Sequence, residues 1–407
     1  MNTRLMVAAL SAAVFAHCAA FSEEVRDSGT TFVKDALSKY VESGELPGAI
    51  SVLYDNGRQE VACVGYADVE KKRPITLDDH FMQCSQTKGF CGVMVAKLVE
   101  EGRISLDDPV SKYLPEYKGA GFLILPRDAE GKMLCLAVTN AITVRMCLNH
   151  TAGFPFELPG YVQMGGWSRR MPLRSVAATA ISQRLLFEPG TRAQYSNVGI
   201  DVAGAVVEVV TGMRFEEYLK KTLLDPLGMT ETTFYPSEKQ LEGKIELYKV
   251  KGGQKAKWVK DLPSMQRPYG DDRVFASCGA GLWTTVRDQL KFYKMLMNLG
   301  VGDNGARILK EETVKGLLAV SSRPAGLGGY SLGLSAPEKD GEDKWFGHGG
   351  AWGTECNVNW HRRQLKMWVI QETGEPRPWV KDWRKCADTF FKAKNGGDAG
   401  EYTGRMN

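Results

Sequence analysis

Apolar residues gather on one side of the segment Asp27–Glu42, at Phe32, Val33, Ala36, Leu37 and Tyr40, and predict an amphipathic helix. Gly44 and Pro47 end it. The period then shortens to alternation. Ala49–Tyr54 and Glu60–Tyr66 read as two strands joined across Asp55-Asn56-Gly57, a hairpin signal. Ser85–Glu101 carries Phe90, Val93, Met94, Ala96 and Leu98 at helical spacing and reads as a helix closed by Gly102. From about Asp107 to Phe275 helical patterns dominate, at Arg174–Arg184, Val198–Thr211 and Phe215–Leu223, between loops rich in Pro and Gly. Lys244–Val259 reads as a strand pair turning at Gly252-Gly253. Strand patterns return at Tyr330–Ser335, Lys344–His348, Thr354–Trp360 and Leu365–Gln371. Pro376 and Pro378 break the chain, and Trp379–Ala393 reads as a last helix.

This order predicts an α+β chain. An antiparallel sheet takes strands from both ends of the sequence, the terminal helices flank it, and a mostly helical lobe is inserted in the middle. The expected division is residues 21–106 with 276–395 in the sheet lobe, 107–275 in the helical lobe, and 396–407 as a flexible tail. A chain of 407 residues is long enough for such lobes. Clefts between lobes are preferred places for small molecules. No internal repeat or low-complexity segment interrupts this pattern.

The first twenty residues stand apart. Arg4 precedes the apolar run Leu5–Ala16, which is too short to span a bilayer. Cys18-Ala19-Ala20 offers small residues for cleavage before Phe21. The expectation is a signal peptide over 1–20 and a periplasmic or secreted product. A lipid anchor on Cys18 is the alternative, to which the preceding His17 fits poorly. No later stretch is long and apolar enough for a transmembrane helix. Eight cysteines remain: Cys63, Cys84, Cys91, Cys135, Cys147, Cys278, Cys356 and Cys386. An even count in an exported chain permits disulfides, but the spacing defines no framework. Cys84 and Cys91, if on one helix, lie about 10 Å apart along its axis, too far to bridge.

Charge and metal motifs narrow the function. A net charge of +4 without a dense Lys/Arg run gives no case for nucleic acid. Neither C-x-x-C nor H-E-x-x-H occurs, so no metal site is expected. The candidate chemistry lies in three short motifs. Ser85-Gln86-Thr87-Lys88 places a hydroxyl at a helix start, where positive partial charge favours a developing anion, with Lys88 on the same face. A lysine turned into a partly desolvated cleft loses affinity for its proton and helps remove the serine's. Tyr195-Ser196-Asn197 follows the turn Glu188-Pro189-Gly190 and precedes a helix, so it can present a phenol and an amide. Tyrosine's reference pKa is near 10, and it acts as a base only beside a cation, for which Lys88 is the natural candidate. His348-Gly349-Gly350 follows the aromatic pair Trp345-Phe346, and its glycines let a substrate lie against the strand backbone. The N–H of Ala351 then joins that of Ser85 around an acyl oxygen. Each motif alone also fits an exposed helix start, ordinary packing or a glycine-rich strand end. Their order is what carries information.

In that order the chain resembles the serine β-lactamase and DD-peptidase superfamily, and within it the class C β-lactamase, carboxypeptidase and esterase branch. The likeness covers about residues 28–395. Phe81–Lys88 is similar to that branch's nucleophile motif, Leu148-Asn149-His150-Thr151-Ala152-Gly153 to its L-x-H-T-x-G segment, and Ser277-Cys278-Gly279-Ala280-Gly281-Leu282 to its S-x-G-x-G-L segment. Gly228-Met229 followed by Thr233-Phe234 is similar to its L-G-M-x-x-T stretch. The resemblance implies a β-lactamase/transpeptidase-like fold and acyl transfer through Ser85. It implies that Lys88 and Tyr195 share base and acid work, that Asn197 orients the substrate amide, and that His348 stands at the third motif's lysine or histidine position. The N–H groups of Ser85 and Ala351, beside Gly350, would form the oxyanion hole. No metal or organic cofactor is implied. The substrates implied are a small-molecule ester, a D-amino-acid peptide or a peptidoglycan-derived compound.

One departure bears on substrate. Class C β-lactamases carry Lys-Thr-Gly at the third motif, where this chain has His348-Gly349-Gly350. Histidine is largely neutral at pH 7 and Gly349 has no hydroxyl, so affinity for an anionic β-lactam should fall. The expectation is therefore an exported serine hydrolase acting on esters or D-amino-acid amides, with a true β-lactamase and a non-catalytic binding or sensing protein as alternatives. If His348 titrates at the site, activity changes between pH 5 and 8. His150 and Gly279–Gly281 read as structural, Cys84 as packing, and Trp352 as either a pocket wall or a core aromatic. Oligomeric state is left open.

Overall fold

The computed structural model describes residues 26–29, 31–158, 171–260, 274–319, 321–324, 329–336 and 344–393. The expected signal peptide with Cys18, the tail 396–407, and parts of the loops 154–171 and 242–273 lie outside the described residues.

The first hairpin forms where alternation predicts it. Strands β1 (Gly48–Asp55) and β2 (Arg58–Asp68) pair antiparallel across Asn56-Gly57. β3 (Arg73–Pro74) follows at one edge. From the C-terminal part come β4 (Gly329–Tyr330), β5 (Ser335–Ala336), β6 (Phe346–Gly349), β7 (Glu355–Asn359) and β8 (Gln364–Val369). All eight form one antiparallel sheet in the order β4-β5-β6-β7-β8-β1-β2-β3. The seam between the two ends of the chain is β1 on β8, in register from Ile50↔Val369 to Asp55↔Gln364.

Period-2 geometry sorts the central strands between two cores. Ile50, Val52 and Tyr54 of β1 join Leu365 and Met367 of β8 in the core that includes helix α2 (Thr87–Glu100). The alternate residues Ala49, Leu53, Trp368 and Ile370 face helices α1 (Phe32–Glu42) and α5 (Pro378–Lys392). The helical segments at Val144–Leu148, Leu173–Thr179, α3 (Asn197–Thr211) and Phe215–Leu219 continue the first core, and α4 (Val286–Met297) packs with them. α3 is buried from Asn197 to Val207 and, apart from Asn197 and Asp201, is apolar over that stretch, as a core helix must be.

Several boundaries differ from expectation for local reasons. α1 begins at Phe32 rather than Asp27, because Thr31 caps it by accepting from Lys34 N–H. Phe32 at that first position is 38% exposed, so it is not on the buried face. The single strand expected over Tyr330–Ser335 is two short strands, since Ser331 N–H turns back to Leu334 O at 2.8 Å and sends Leu332 and Leu334 into the α2 core. Phe215–Leu223 is an α-helix only to Leu219 and then a π-helical turn, Lys220–Leu224. The strand pair at Tyr248–Lys251 and Gln254–Trp258 forms, but with Glu372–Thr373 it makes a separate three-stranded sheet. Tyr248 and Val250 pack with Trp368 and Trp379, on the terminal-helix side rather than among the helices of the middle segment. All eight described cysteines are free thiols, and Cys84 precedes the helix that holds Cys91.

Trp383 ties α5 to the sheet. It is fully buried, its ring lies 5.1 Å from that of Trp368, and its Nε1–H donates to Ser51 Oγ at 2.9 Å. Trp383→Ala is expected to cost about 3–5 kcal/mol in denaturant unfolding. Trp383→Phe, which keeps a ring and loses the donor, should cost about 1–3 kcal/mol. Equal losses would mean that ring packing is not what holds α5 down.

Candidate active site

Ser85 sits in the one-turn helix Cys84–Gln86 that leads into α2. Cys84 just before it has φ of +50°, a left-handed conformation that a non-glycine residue rarely adopts. The turn is clamped in place: Thr87 Oγ1 donates to Cys84 O at 2.7 Å and accepts from Leu282 N–H at 3.2 Å. Ser85 is thereby held at the start of α2, half exposed, beside the unpaired donors of a helix N-terminus. Burial pushes the Cys84 thiol up to about 12, so it stays protonated.

Lys88, one turn along α2, is fully buried. Its Nζ lies 3.1 Å from Ser85 Oγ, 2.6 Å from Asn197 Oδ1 and 2.7 Å from Gly279 O. The two oxygens of Asn197 and Gly279 can only accept. They therefore take two N–H bonds of the amine, and in the neutral form the lone pair is left for the Ser85 hydroxyl. Burial lowers the Lys88 pKa from 10.5 to about 7, the carboxylate of Asp201 opposing part of that fall. The amine is thus a base that is available near neutral pH and already aimed.

Asn197 is the first residue of α3, whose N-cap Ser196 accepts from Gly199 N–H at 3.1 Å and donates to Pro155 O at 2.7 Å. Its Nδ2 faces Glu157 Oε1 at 3.4 Å, which agrees with Oδ1 facing the lysine. Both ends of the Asn197 amide are thus engaged by the protein. Its contacts position Lys88, where the sequence expectation was to orient a substrate amide. Asp201, one turn further along α3, accepts from Gly279 N–H at 3.2 Å and so sets the carbonyl that Lys88 uses. Burial raises the Asp201 carboxyl to about 7. Gly279 has no room for a side chain, since a Cβ there would stand 2.9 Å from Asn197 Oδ1.

Tyr195 packs face-on with exposed Phe156, ring centroids 6.0 Å apart, and against His150 at 4.5 Å. Lys88 Nζ lies 4.6 Å from its ring centre. The Tyr195 phenol is pushed well above its ordinary value by burial, opposed by a hydrogen bond with Ser85. Lys88 does not make it a phenolate: a proton on Tyr195 is available to give. His348, on β6, is also buried, and burial with Lys88 nearby lowers its pKa to about 3. The condition for a change in activity between pH 5 and 8, titration of His348 at the site, is thus not favoured, because burial holds the ring neutral there.

Gly350 is pressed against the nucleophile turn, where a Cβ would meet Gln83 O at 2.6 Å and Thr354 Oγ1 at 2.1 Å. Its missing side chain lets the end of β6 approach Cys84; it does not make space for a substrate, as the sequence suggested. Gly349 is the exposed glycine, and a Cβ there would have room, with Thr354 O at 3.6 Å. Ala351 follows in the turn closed by Gly350 N–H to Thr354 O at 2.7 Å, with its backbone N–H beside Cys84. Trp352 is a core aromatic, packed with Met82, Cys84 and Trp283. His150 accepts from Ser196 N–H at 3.3 Å and supports the Tyr195 ring. A cleft of about 430 Å³, counting its open part, adjoins Asn197 and is walled by Leu158, Val176, Val198 and Ala280 with Glu157 and Asp201.

Two groups were missed by sequence reasoning. Asp201 could have been found, because it lies four residues after Asn197 and shares its face of α3. Tyr330, whose hydroxyl is 3.0 Å from His348 Nε2, has no local signal and reaches the site only through the sheet.

The Beta-lactamase family model matches residues 33–370, and the chain belongs to that family. Protein Rv1367c of Mycobacterium tuberculosis (strain ATCC 25618 / H37Rv) is 29% identical over 290 residues, 69% of each chain. Among solved structures, EstCE1, a hydrolase with promiscuous acyltransferase activity, superposes with a TM-score of 0.69 at 22% identity, over 87% of this chain and 97% of its own. A D-stereospecific amidohydrolase from Streptomyces sp. does so with a TM-score of 0.61 at 22% identity, over 86% and 96%. The fold is thus that of the serine β-lactamase/transpeptidase hydrolases.

If the Lys88 amine is the base, kcat/KM for a neutral ester should rise with pH through about 7 as its ammonium loses a proton. Asp201→Asn keeps an acceptor for Gly279 and removes an anion that raises the Lys88 pKa, so it should move that rise to lower pH. A profile that shifts upward, or stays in place, would count against this pairing.

Proposed function

We propose that this chain is an exported serine hydrolase that cleaves a carboxylic ester or a D-amino-acid amide through an acyl-enzyme on Ser85. The observation that carries the reading is the buried amine of Lys88, fixed by two acceptor-only oxygens with its third position on Ser85 Oγ. The neighbours named for hydrolysis with acyl transfer and for D-stereospecific amide hydrolysis support the same range of substrates.

In acylation Ser85 Oγ attacks the substrate carbonyl carbon while neutral Lys88 takes the hydroxyl proton. The carbonyl oxygen becomes an oxyanion, with the N–H groups of Ser85 and Ala351 as its donors. The carbon–leaving-group bond then breaks. Tyr195 gives its proton to the departing oxygen or nitrogen and is reprotonated from the Lys88 ammonium, so the serine proton ends on the leaving group. In deacylation water takes the leaving group's place, and the same groups act in reverse to release the acid and restore Ser85. Proton transfer of this kind contributes typically 10²–10⁴-fold in rate.

The neutral state of His348 supports a neutral substrate over an anionic one. A carboxylate docked at the third motif would meet an uncharged ring, and Lys88 is already engaged. The exposed ring of Phe156, packed on Tyr195, favours an acyl group with modest apolar side groups. A true β-lactamase, the alternative, would need another cation to hold its substrate's carboxylate.

Hydrolysis of a short p-nitrophenyl ester by residues 21–407 tests the reading. Ser85→Ala should fall to the background rate with an unchanged unfolding midpoint, and a cephalosporin should be turned over at least about a hundredfold more slowly than the ester. Full activity in Ser85→Ala would end the acyl-enzyme mechanism. Comparable rates on the cephalosporin would favour the β-lactamase.

A further inference from the structure

We propose that Tyr330 is a positioning residue for this reaction: by donating to His348 Nε2 it leaves the Tyr195 hydroxyl proton directed at Ser85 and the leaving group. The inference rests on the Ser85 acyl-enzyme reading and adds a residue that no motif contains.

The argument is one of counting protons and lone pairs. His348 Nδ1 lies 2.5 Å from Gly349 O. A carbonyl oxygen only accepts, so Nδ1 carries the hydrogen. In the neutral ring Nε2 then has one lone pair and no hydrogen. Two phenols compete for it: Tyr330 OH at 3.0 Å and Tyr195 OH at 3.4 Å. Tyr330 is fully buried and held from both sides, its N–H on Ser322 O at 2.8 Å and its carbonyl accepting from Ser321 N–H at 2.8 Å. Its ring meets His150 at 4.4 Å and stands edge-on to His348, 84° between the planes. A donor so placed saturates Nε2 at the better distance. Tyr195 keeps its proton for the other partner in reach, Ser85.

Removing the Tyr330 hydroxyl frees the Nε2 lone pair. Tyr195 is the remaining phenol within 3.4 Å, so its proton turns away from the reaction toward His348. The loss should then appear only where the leaving group needs a proton. p-Nitrophenolate departs without one, whereas an alkoxide does not.

The experiment compares kcat/KM for a p-nitrophenyl ester and an ethyl ester of the same acid, in the wild type, Tyr330→Phe, Tyr195→Phe and the double variant. For Tyr330→Phe the expected result is a loss of about tenfold or more on the ethyl ester and less than about twofold on the p-nitrophenyl ester. In the Tyr195→Phe background Tyr330→Phe should cost nothing further, because its effect passes through that phenol. Equal losses on the two esters, or additive losses in the double variant, would overturn the proposal and leave Tyr330 a packing residue. Nitrogen NMR of the wild-type histidines gives a second arm that needs no variant to fold: His348 should be the neutral Nδ1–H tautomer, and an Nε2–H tautomer would overturn it. Absence of Ser85-dependent turnover of both esters in the wild type would instead defeat the acyl-enzyme reading, and this proposal with it.

Discussion

The site depends on keeping one lysine out of water. Lys88 is fully buried, and lowering its pKa from 10.5 to about 7 corresponds to roughly 5 kcal/mol of disfavoured charging. A buried amine with unpaired hydrogens would be costly in either protonation state. The structure offsets this with the side-chain oxygen of Asn197 and the main-chain oxygen of Gly279, and both are secured from behind. Asn197 is anchored by the capped start of α3, and Gly279 by Asp201 on the same helix. Three separate parts of the chain, α2, α3 and the segment before α4, thus converge on a single nitrogen. Where the helical segments sit against the sheet follows from that convergence as much as from the apolar core around it.

The same dryness divides the labour between acid and base. Burial disfavours whichever form is charged, so it lowers the lysine and raises the tyrosine. Lys88 becomes a neutral amine that can accept a proton, and Tyr195 a phenol that holds one. Read from reference values alone, the pair would be an ammonium and a phenol, two acids with no base between them. Environment, not residue type, makes the combination competent. His348 follows the same rule and loses its charge, which converts the third motif from a place for anions into a hydrogen-bond acceptor.

Much of this was legible in the sequence, and what was not has physical reasons. The β1–β2 hairpin, α3 and α5 were read to within a few residues, because period and turn chemistry are local. The approach of Ser85 to Lys88 was visible as an i, i+3 spacing on one helix. The motifs at Tyr195 and His348 stood out by order, and the fold brings the two side chains within 3.4 Å of each other. Burial is a property of the whole fold, so neither the direction of the Tyr195 shift nor the silence of His348 could be read from their neighbours in the chain. The role of Gly350 was misread for a related cause. A glycine in a strand end signals a close approach but does not say to what, and here the partner is the backbone of Gln83. Tyr330 was legible as a strand residue only; the broken strand and the turn at 331–334 carry its hydroxyl to His348.

These constraints bear on the proposed preference for neutral substrates. The groups around Ser85 satisfy one another: amine to amide and carbonyl, phenol to imidazole, imidazole to its own backbone. Near neutral pH Lys88 is only partly charged and is engaged by two oxygens, and His348 is uncharged, so the site offers an anion little to bind. Under the proposed function, recognition rests on shape, with the ring of Phe156 and the exposed backbone of Gly349 as the surfaces on offer. Chemistry and cleft share residues: Asn197 and Asp201, which hold Lys88 and Gly279, also wall the cleft, together with Val176 and Val198 of the helical segments. The same fold is found in a hydrolase with promiscuous acyltransferase activity and in a D-stereospecific amidohydrolase, so the fold alone does not choose the substrate.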